Sequence, residues 1–154
     1  MCNIGTKAIF LVSILSTFLF SNSLTIDDKI NNISLVDQFD KKHTTNETTK
    51  LLIVSFEKDT SVIVNEFLKS KEIDFLTKHN SLFIADISSM PSFVTKLFAL
   101  PKMRKYNYNV LLIYDEDEKR FIKKEGKLTV YKIDNGVIKS INFINSQEEL
   151  KSLF

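Results

Sequence analysis

Three short apolar runs, at residues 51–56 (LLIVSF), 82–87 (LFIADI) and 110–114 (VLLIY), stand out from a mixed chain. Runs of that length with little alternation fit strands buried on both faces of a sheet. Between them the apolar period lengthens. Ile63 with Phe67 and Val64 with Leu68 lie at i,i+4 spacing, which predicts a helix capped by Asp59 or Thr60. Residues 71–79 continue helically, with Ile73, Leu76 and Phe75 turned inward. Pro91 suits the first turn of another helix. That helix places Phe93, Leu97 and Leu100 on one stripe, and Pro101 ends or bends it. Residues 33–43 predict a short strand, a turn and a second short strand. Residues 128–133 and 137–143 predict strands joined at Asp134-Asn135-Gly136, where Asn and Gly accept positive φ. Ser146 with Glu149 forms a capping box for a last helix that buries Leu150, Leu153 and Phe154. Segments 25–32 and 44–50 are polar and predict irregular chain. Strands alternating with amphipathic helices and closed by a hairpin and a helix predict one α/β domain: a central mixed sheet flanked by helices.

A fourth apolar run, residues 8–20, has a different meaning. It follows Lys7 and is relieved only by Ser13, Ser16 and Thr17; Ser21-Asn22-Ser23 then offers small residues before Leu24. Basic start, apolar middle and small-residue end are the three regions of a secretory signal peptide, expected to occupy residues 1–23 and to leave 24–154 as the mature domain. A bilayer core needs about 20 apolar residues, so the run is short for a stable span. A retained anchor is the alternative, and the only membrane attachment expected. The single cysteine, Cys2, precedes the apolar run, so cleavage removes it and the mature chain has no thiol. An exported domain held by its core without disulfides fits the periplasm of a Gram-negative bacterium better than a eukaryotic extracellular space.

Composition removes several function classes. The chain has 21 basic and 19 acidic residues, a net charge of +2, which gives no overall field for nucleic acid or anionic lipid. Only Arg104 and Arg120 offer the planar fork that reads phosphate or bases bidentately. His43 and His79 are isolated, Met90 and Met103 form no cluster, and Asp115-Glu116-Asp117-Glu118 lacks the spacing of a calcium loop, so no metal is expected. No G-x-G-x-x-G is present to hold a nicotinamide or flavin cofactor, and no cofactor is expected.

The opening Leu35-Val36-Asp37-Gln38-Phe39-Asp40-Lys41 is similar to the L-x-D-Q-x-G-K strand-turn that begins many redoxins. The run at 51–56 looks like their central strand, and residues 128–154 look like their terminal hairpin and helix. On these grounds the chain resembles the thioredoxin-like superfamily, redoxin branch. It is closest in kind to small exported cysteine-free relatives of Gram-negative bacteria, whose activity is generally not established. The resemblance implies catalytic thiols at the start of the first helix, where the helix dipole lowers their pKa, and a cis-proline before the terminal hairpin. Residues 57–64 contain no sulfur, and Leu128 and Thr129 occupy the proline's place. Asp59, Thr60, Ser61, Leu128 and Thr129 are therefore degenerate redox-site positions, and thiol chemistry is excluded for a cleaved chain. The expected function is a non-catalytic periplasmic module that binds an envelope protein or a small ligand. The alternative is an enzyme of non-thiol chemistry, with Thr60 or Ser61 as a nucleophile that would need an adjacent base. Asp86, at the end of a buried strand, either faces a binding crevice or caps the following loop. Residues 99–108 combine a bend with aromatic, methionine and cationic side chains, which interfaces favour. Met90, Pro91, Lys102, Arg104 and Tyr106 are the expected partner surface. The plainer account is a helix C-terminus with its positive charges against the dipole, followed by tyrosines on the core edge.

Overall fold

The computed structural model describes residues 23–116 and 118–154. The expected signal peptide, with Cys2 and residues 8–20, lies outside the described residues apart from Ser23, as does Asp117 of the acidic turn. The chain forms β1 (Ser34–Asp37), β2 (Lys42–Thr44), β3 (Leu51–Ser55), α1 (Lys58–Leu68), α2 (Phe75–Lys78) and β4 (Ser81–Asp86). One bent helix follows in three parts: α3 (Ser92–Val94), a π-helical segment (Thr95–Ala99) and α4 (Leu100–Met103). Then come β5 (Leu111–Ile113), β6 (Leu128–Asp134), β7 (Val137–Ile144) and α5 (Gln147–Lys151).

All seven strands belong to one sheet, in the order β2-β1-β5-β4-β3-β6-β7. The three apolar runs become its parallel centre: β4 pairs parallel with both β3 and β5. β6 runs antiparallel to β3, and β1 antiparallel to β5. β3 is buried at all five positions, as a central strand covered on both faces must be. Its side chains alternate between two cores. Leu51 and Ile53 join Val64, Phe67, Leu68, Leu76 and Leu150 on the helical side. Leu52 and Val54 join Ile30, Ile33, Phe121 and Tyr131 on the other.

Among the described residues, no helical residue contributes to that second core. It is covered by the irregular chain at 24–33 and around Phe121, with Ile30 fully buried. The polar look of 25–32 therefore conceals an anchoring side chain. Ile30 N–H donates to Gly136 O (2.9 Å), and Lys29 bridges to Val137, so this segment runs beside the terminal hairpin.

Turn chemistry matches the sequence where it is local. Asn135 (φ 49°) and Gly136 (φ 75°) take the left-handed conformation between β6 and β7, as a two-residue hairpin turn requires. Ser146 Oγ accepts from Glu149 N–H (3.2 Å), and Glu149 in turn accepts from Asn145 N–H (3.0 Å), closing the capping box. Asp40, standing where the redoxin-like motif has glycine, is also left-handed (φ 62°), a conformation that Asp tolerates better than most residues.

Three helical expectations are corrected. α1 begins at Lys58 with Glu57 as its N-cap residue and no side-chain cap. Asp59 is exposed in its first turn and Thr60 is buried there, so neither caps. Residues 71–79 form only the four-residue α2, and Ile73 is 78% exposed, because the chain turns before the helical face that would bury it is established. The stripe on the bent helix is divided: Phe93 is 62% and Leu97 66% exposed, while Leu100 packs on the core. Pro101 has no N–H to donate back one α-turn. The chain accommodates it by widening the preceding turn to i→i+5 bonding, with Leu100 N–H reaching Thr95 O. That wider turn shifts the phase of every side chain across it, so a 3.6-residue period drawn through positions 93, 97 and 100 no longer marks one face.

Candidate functional site

Strand register builds the corner at the end of β3 that the redoxin resemblance marks as the redox-site position. The last residues of β3 lead straight into α1, and Val54 pairs with Thr129 of β6. The first-helix positions and the Leu128–Thr129 positions are thus brought to the same end of the same strand pair. Across the corner, Gly126 N–H donates to the Glu57 carboxylate (3.2 Å to the nearer oxygen), tying the loop before β6 to the start of α1.

This corner is filled with hydroxyls that bond one another. Ser55 Oγ lies 2.8 Å from Thr60 Oγ1 and 2.7 Å from Ser61 Oγ. Thr60 Oγ1 donates to Glu57 O (3.0 Å), and Ser55 Oγ is also within 3.0 Å of that carbonyl. The three hydroxyls and the Glu57 carbonyl can thus satisfy one another, Ser61 donating to Ser55 while Ser55 and Thr60 donate to the carbonyl. Ser55 and Thr60 are almost wholly buried. Leu128 and Thr129 are fully buried, and Thr129 Oγ1 donates to Ile122 O (2.6 Å). Asp59 is exposed beside this network and makes no cap bond.

A nucleophilic hydroxyl needs a base within hydrogen-bond reach, and neither histidine is near. His43 lies on β2, four strand positions from β3 in the sheet order, or about 19 Å at ~4.8 Å per strand. His79 precedes β4 at the end of the sheet where Ser81 pairs with Leu51, opposite to Ser55, and its Nδ1 contacts Phe75 O (2.8 Å). Asp86 forms a local turn, its Oδ1 accepting from Ser88 N–H (2.9 Å) and Ser88 Oγ (2.6 Å), so the loop-capping account holds for it.

A second polar knot lies at the other edge of the sheet, built on the Asp37-Gln38 motif. Asp37 is buried; its carboxylate accepts from Phe39 N–H (2.8 Å) and Lys41 N–H (3.0 Å) and pairs with His43 Nε2 (2.7 Å). Burial pushes the Asp37 carboxyl up, but the His43 bond and the two N–H groups outweigh it and hold it below its ordinary value. Gln38, also buried, donates to Tyr108 O (2.9 Å) and accepts from Val110 N–H (2.8 Å). Beside this knot opens a cleft of about 340 Å³, bordered by Phe39, His43, Thr77, Tyr106 and Asn109. The pairing escapes a search for catalytic spacing because Asp37 and His43 meet only through the β1–β2 hairpin, in which Leu35 lies opposite His43. Among the described residues, no three His, Cys, Asp or Glu side chains converge as a metal-ligand set.

The expected partner surface divides. Pro91 and Lys102 are exposed. Met90 and Tyr106 pack against the helical-side core, and Tyr106 stacks on Tyr108 at 5.1 Å between ring centroids. Arg104 Nε donates to Gln38 O (2.9 Å), and its guanidinium lies 3.8 Å from Asp40. The apolar side chains most open to solvent here are Phe93, Leu97 and Phe98.

No family model and no curated protein matches the chain. Solved structures do. A peroxidoxin from Mycobacterium tuberculosis superposes with a TM-score of 0.55 at 13% identity, covering 84% of this chain and 94% of the other. The thioredoxin domain of a thiol-disulfide oxidoreductase from Bacteroides vulgatus gives 0.51 at 14% identity, covering 84% and 98%. An uncharacterized thioredoxin-like protein from Porphyromonas gingivalis gives 0.51 at 21% identity, covering 84% and 92%. At these identities the likeness is one of fold. It agrees with the mixed sheet, the strand-to-helix corner and the closing hairpin and helix: the chain has a thioredoxin-like fold.

Proposed function

We propose that the protein is an exported, non-catalytic thioredoxin-fold module of the Gram-negative periplasm, and that it acts by binding through the segment from Met90 to Tyr106. One observation carries this. The corner that holds thiols in thiol-disulfide oxidoreductases is here a closed set of hydroxyls, Ser55, Thr60 and Ser61, each bonded to its neighbours and remote from any imidazole. Such an arrangement supports the start of α1 and leaves no activated nucleophile. The proposed signal peptide supplies the route to the periplasm, and the absence of cysteine after residue 2 accords with a role that needs no redox partner.

Complementation of a deletion strain under envelope stress tests this directly. The double variant Thr60→Ala, Ser61→Ala is expected to restore growth as well as the parent, whereas Leu97→Ser with Phe98→Ser is expected not to. A Thr60, Ser61 variant that keeps its circular dichroism spectrum yet fails to complement would instead establish chemistry at the corner.

A further inference from the structure

Between Asp86 and Asp115 the chain contains no acidic residue, and its only charges are Lys96, Lys102, Arg104 and Lys105. The whole chain is almost balanced at +2, so its positive charge is segregated here and the remainder is net acidic. The same stretch carries the bent helix whose outer side exposes Phe93 (62%), Leu97 (66%) and Phe98 (66%). The π-helical segment is what gathers them. A π-helical turn rotates the chain less per residue than an α-turn, so Phe98 lies nearer the side of Phe93 and Leu97 than an unbroken α-helix would place it. Val94, Thr95 and Ala99 are left facing inward. Pro101, by forcing the wide turn, is the residue that sets this face.

We infer that this helix is a docking surface for an anionic lipid membrane, lying in the interface with Phe93, Leu97 and Phe98 among the acyl chains and the lysines at the headgroups. Three features favour lipid over a protein groove. The outer apolar side chains offer no hydrogen-bonding group. The cleft beside Asp37 and His43 and the neighbouring one lined by Thr44, Asn46 and Asn80 include no residue from 91 to 105, so neither gives this face a socket for a partner side chain. Exposed lysines at 96, 102 and 105 flank the apolar group, the arrangement in which long cationic side chains reach headgroups while aromatic and aliphatic ones enter the bilayer. Arg104 is committed to Gln38 and Asp40, which leaves the lysines as the electrostatic contacts. Each basic residue close to an anionic surface strengthens attachment by about fivefold, or ~1 kcal/mol. This deepens the assignment of Met90 to Tyr106 as a binding surface, and rests on it, by naming what the surface binds.

The chain has no tryptophan, so Phe98→Trp places a single indole reporter on the face. The protein is used as recovered from expressing cells. The reporter senses only its own surroundings, whatever the N-terminal apolar run does. With vesicles of phosphatidylglycerol in phosphatidylcholine, the indole emission is expected to shift to the blue and to be quenched by brominated acyl chains. With pure phosphatidylcholine the response should be much weaker. Adding Lys96→Glu and Lys102→Glu to the reporter protein should weaken binding by about tenfold or more, with an unchanged circular dichroism spectrum. An unshifted indole emission on anionic vesicles overturns the inference, as does an equal response to neutral vesicles. A reporter that responds to a periplasmic protein fraction and not to lipid overturns it in favour of a protein partner. Each of these leaves the complementation result at Thr60 and Ser61 untouched, so a failure of lipid binding is separable from a failure of the non-catalytic assignment.

Discussion

Single residues hold this fold together where polar groups are buried. Asp37 is the clearest case, because its carboxylate satisfies Phe39 N–H, Lys41 N–H and His43 at once while almost wholly out of solvent. Its carboxyl is held below the ordinary value in the folded chain. A carboxyl of lowered pKa contributes stability that is present above its unfolded value of about 4 and is lost as the pH falls through the folded one. Asp37→Asn, which keeps an acceptor but loses the charge, should therefore cost roughly 1–3 kcal/mol at neutral pH. The gap to the parent should narrow steadily below about pH 4. Urea denaturation at pH 7 and at pH 3 checks this; a gap that stays constant or widens in acid would show that the charge contributes nothing. The neighbouring Gln38 works by the same rule with a neutral amide: its donors and acceptor join the end of β1 to Tyr108 and Val110 ahead of β5. The redoxin-like Asp-Gln pair was visible in the sequence, but its partners were not. His43, Tyr108 and Val110 reach it through strand register, which no local spacing encodes.

Elements were legible in proportion to how local their signals are. The three buried strands, the Asn135-Gly136 turn and the Ser146–Glu149 capping box lie where their residues imply, because each signal is complete within a few positions. The start of α1 was misassigned. A buried hydroxyl and a capping hydroxyl look alike in sequence, and Ser55, a strand residue, engages the Thr60 and Ser61 hydroxyls in place of a cap. The bent helix was misassigned for a deeper reason. Periodicity finds an apolar face but does not tell inside from outside when both sides are apolar, and the π-helical turn changes the period itself. The observed orientation makes a stability prediction of its own. Leu97→Ser should change unfolding free energy by no more than about 0.5 kcal/mol, as exposed substitutions do. Leu112→Ala, at a fully buried strand position, should cost about 2–5 kcal/mol. Thermal melts of the two variants distinguish these cases. A large loss for Leu97→Ser would return that side chain to the core and remove the lipid-facing helix with it.

At the scale of the whole molecule, the sheet is covered by helices on one face and by irregular chain on the other. That asymmetry gives the first described residues a structural task. Leu24 N–H donates to Arg120 O (2.7 Å), Leu24 packs against the second core, and Ile30 is fully buried within it. Segment 24–33 is thus part of the folded domain, and removal of residues much beyond 24 would uncover Leu52, Val54 and Tyr131. A signal-peptide cut between Ser23 and Leu24 falls at the edge of what the core requires. The new α-amino group could still donate to Arg120 O, since an ammonium carries N–H donors as the amide did. The processed protein is therefore expected to begin at Leu24. If the chain is exported and cleaved as proposed, intact-mass measurement of a periplasmic fraction should give the mass of residues 24–154, in a form without thiol and inert to maleimide labelling, because Cys2 would leave with residues 1–23. A mass that includes Met1, or a protein that labels with maleimide, would mean that residues 8–20 remain as an anchor. The helix from Ser92 to Met103 would then meet its membrane as part of a tethered protein, for which a weaker interfacial contact suffices.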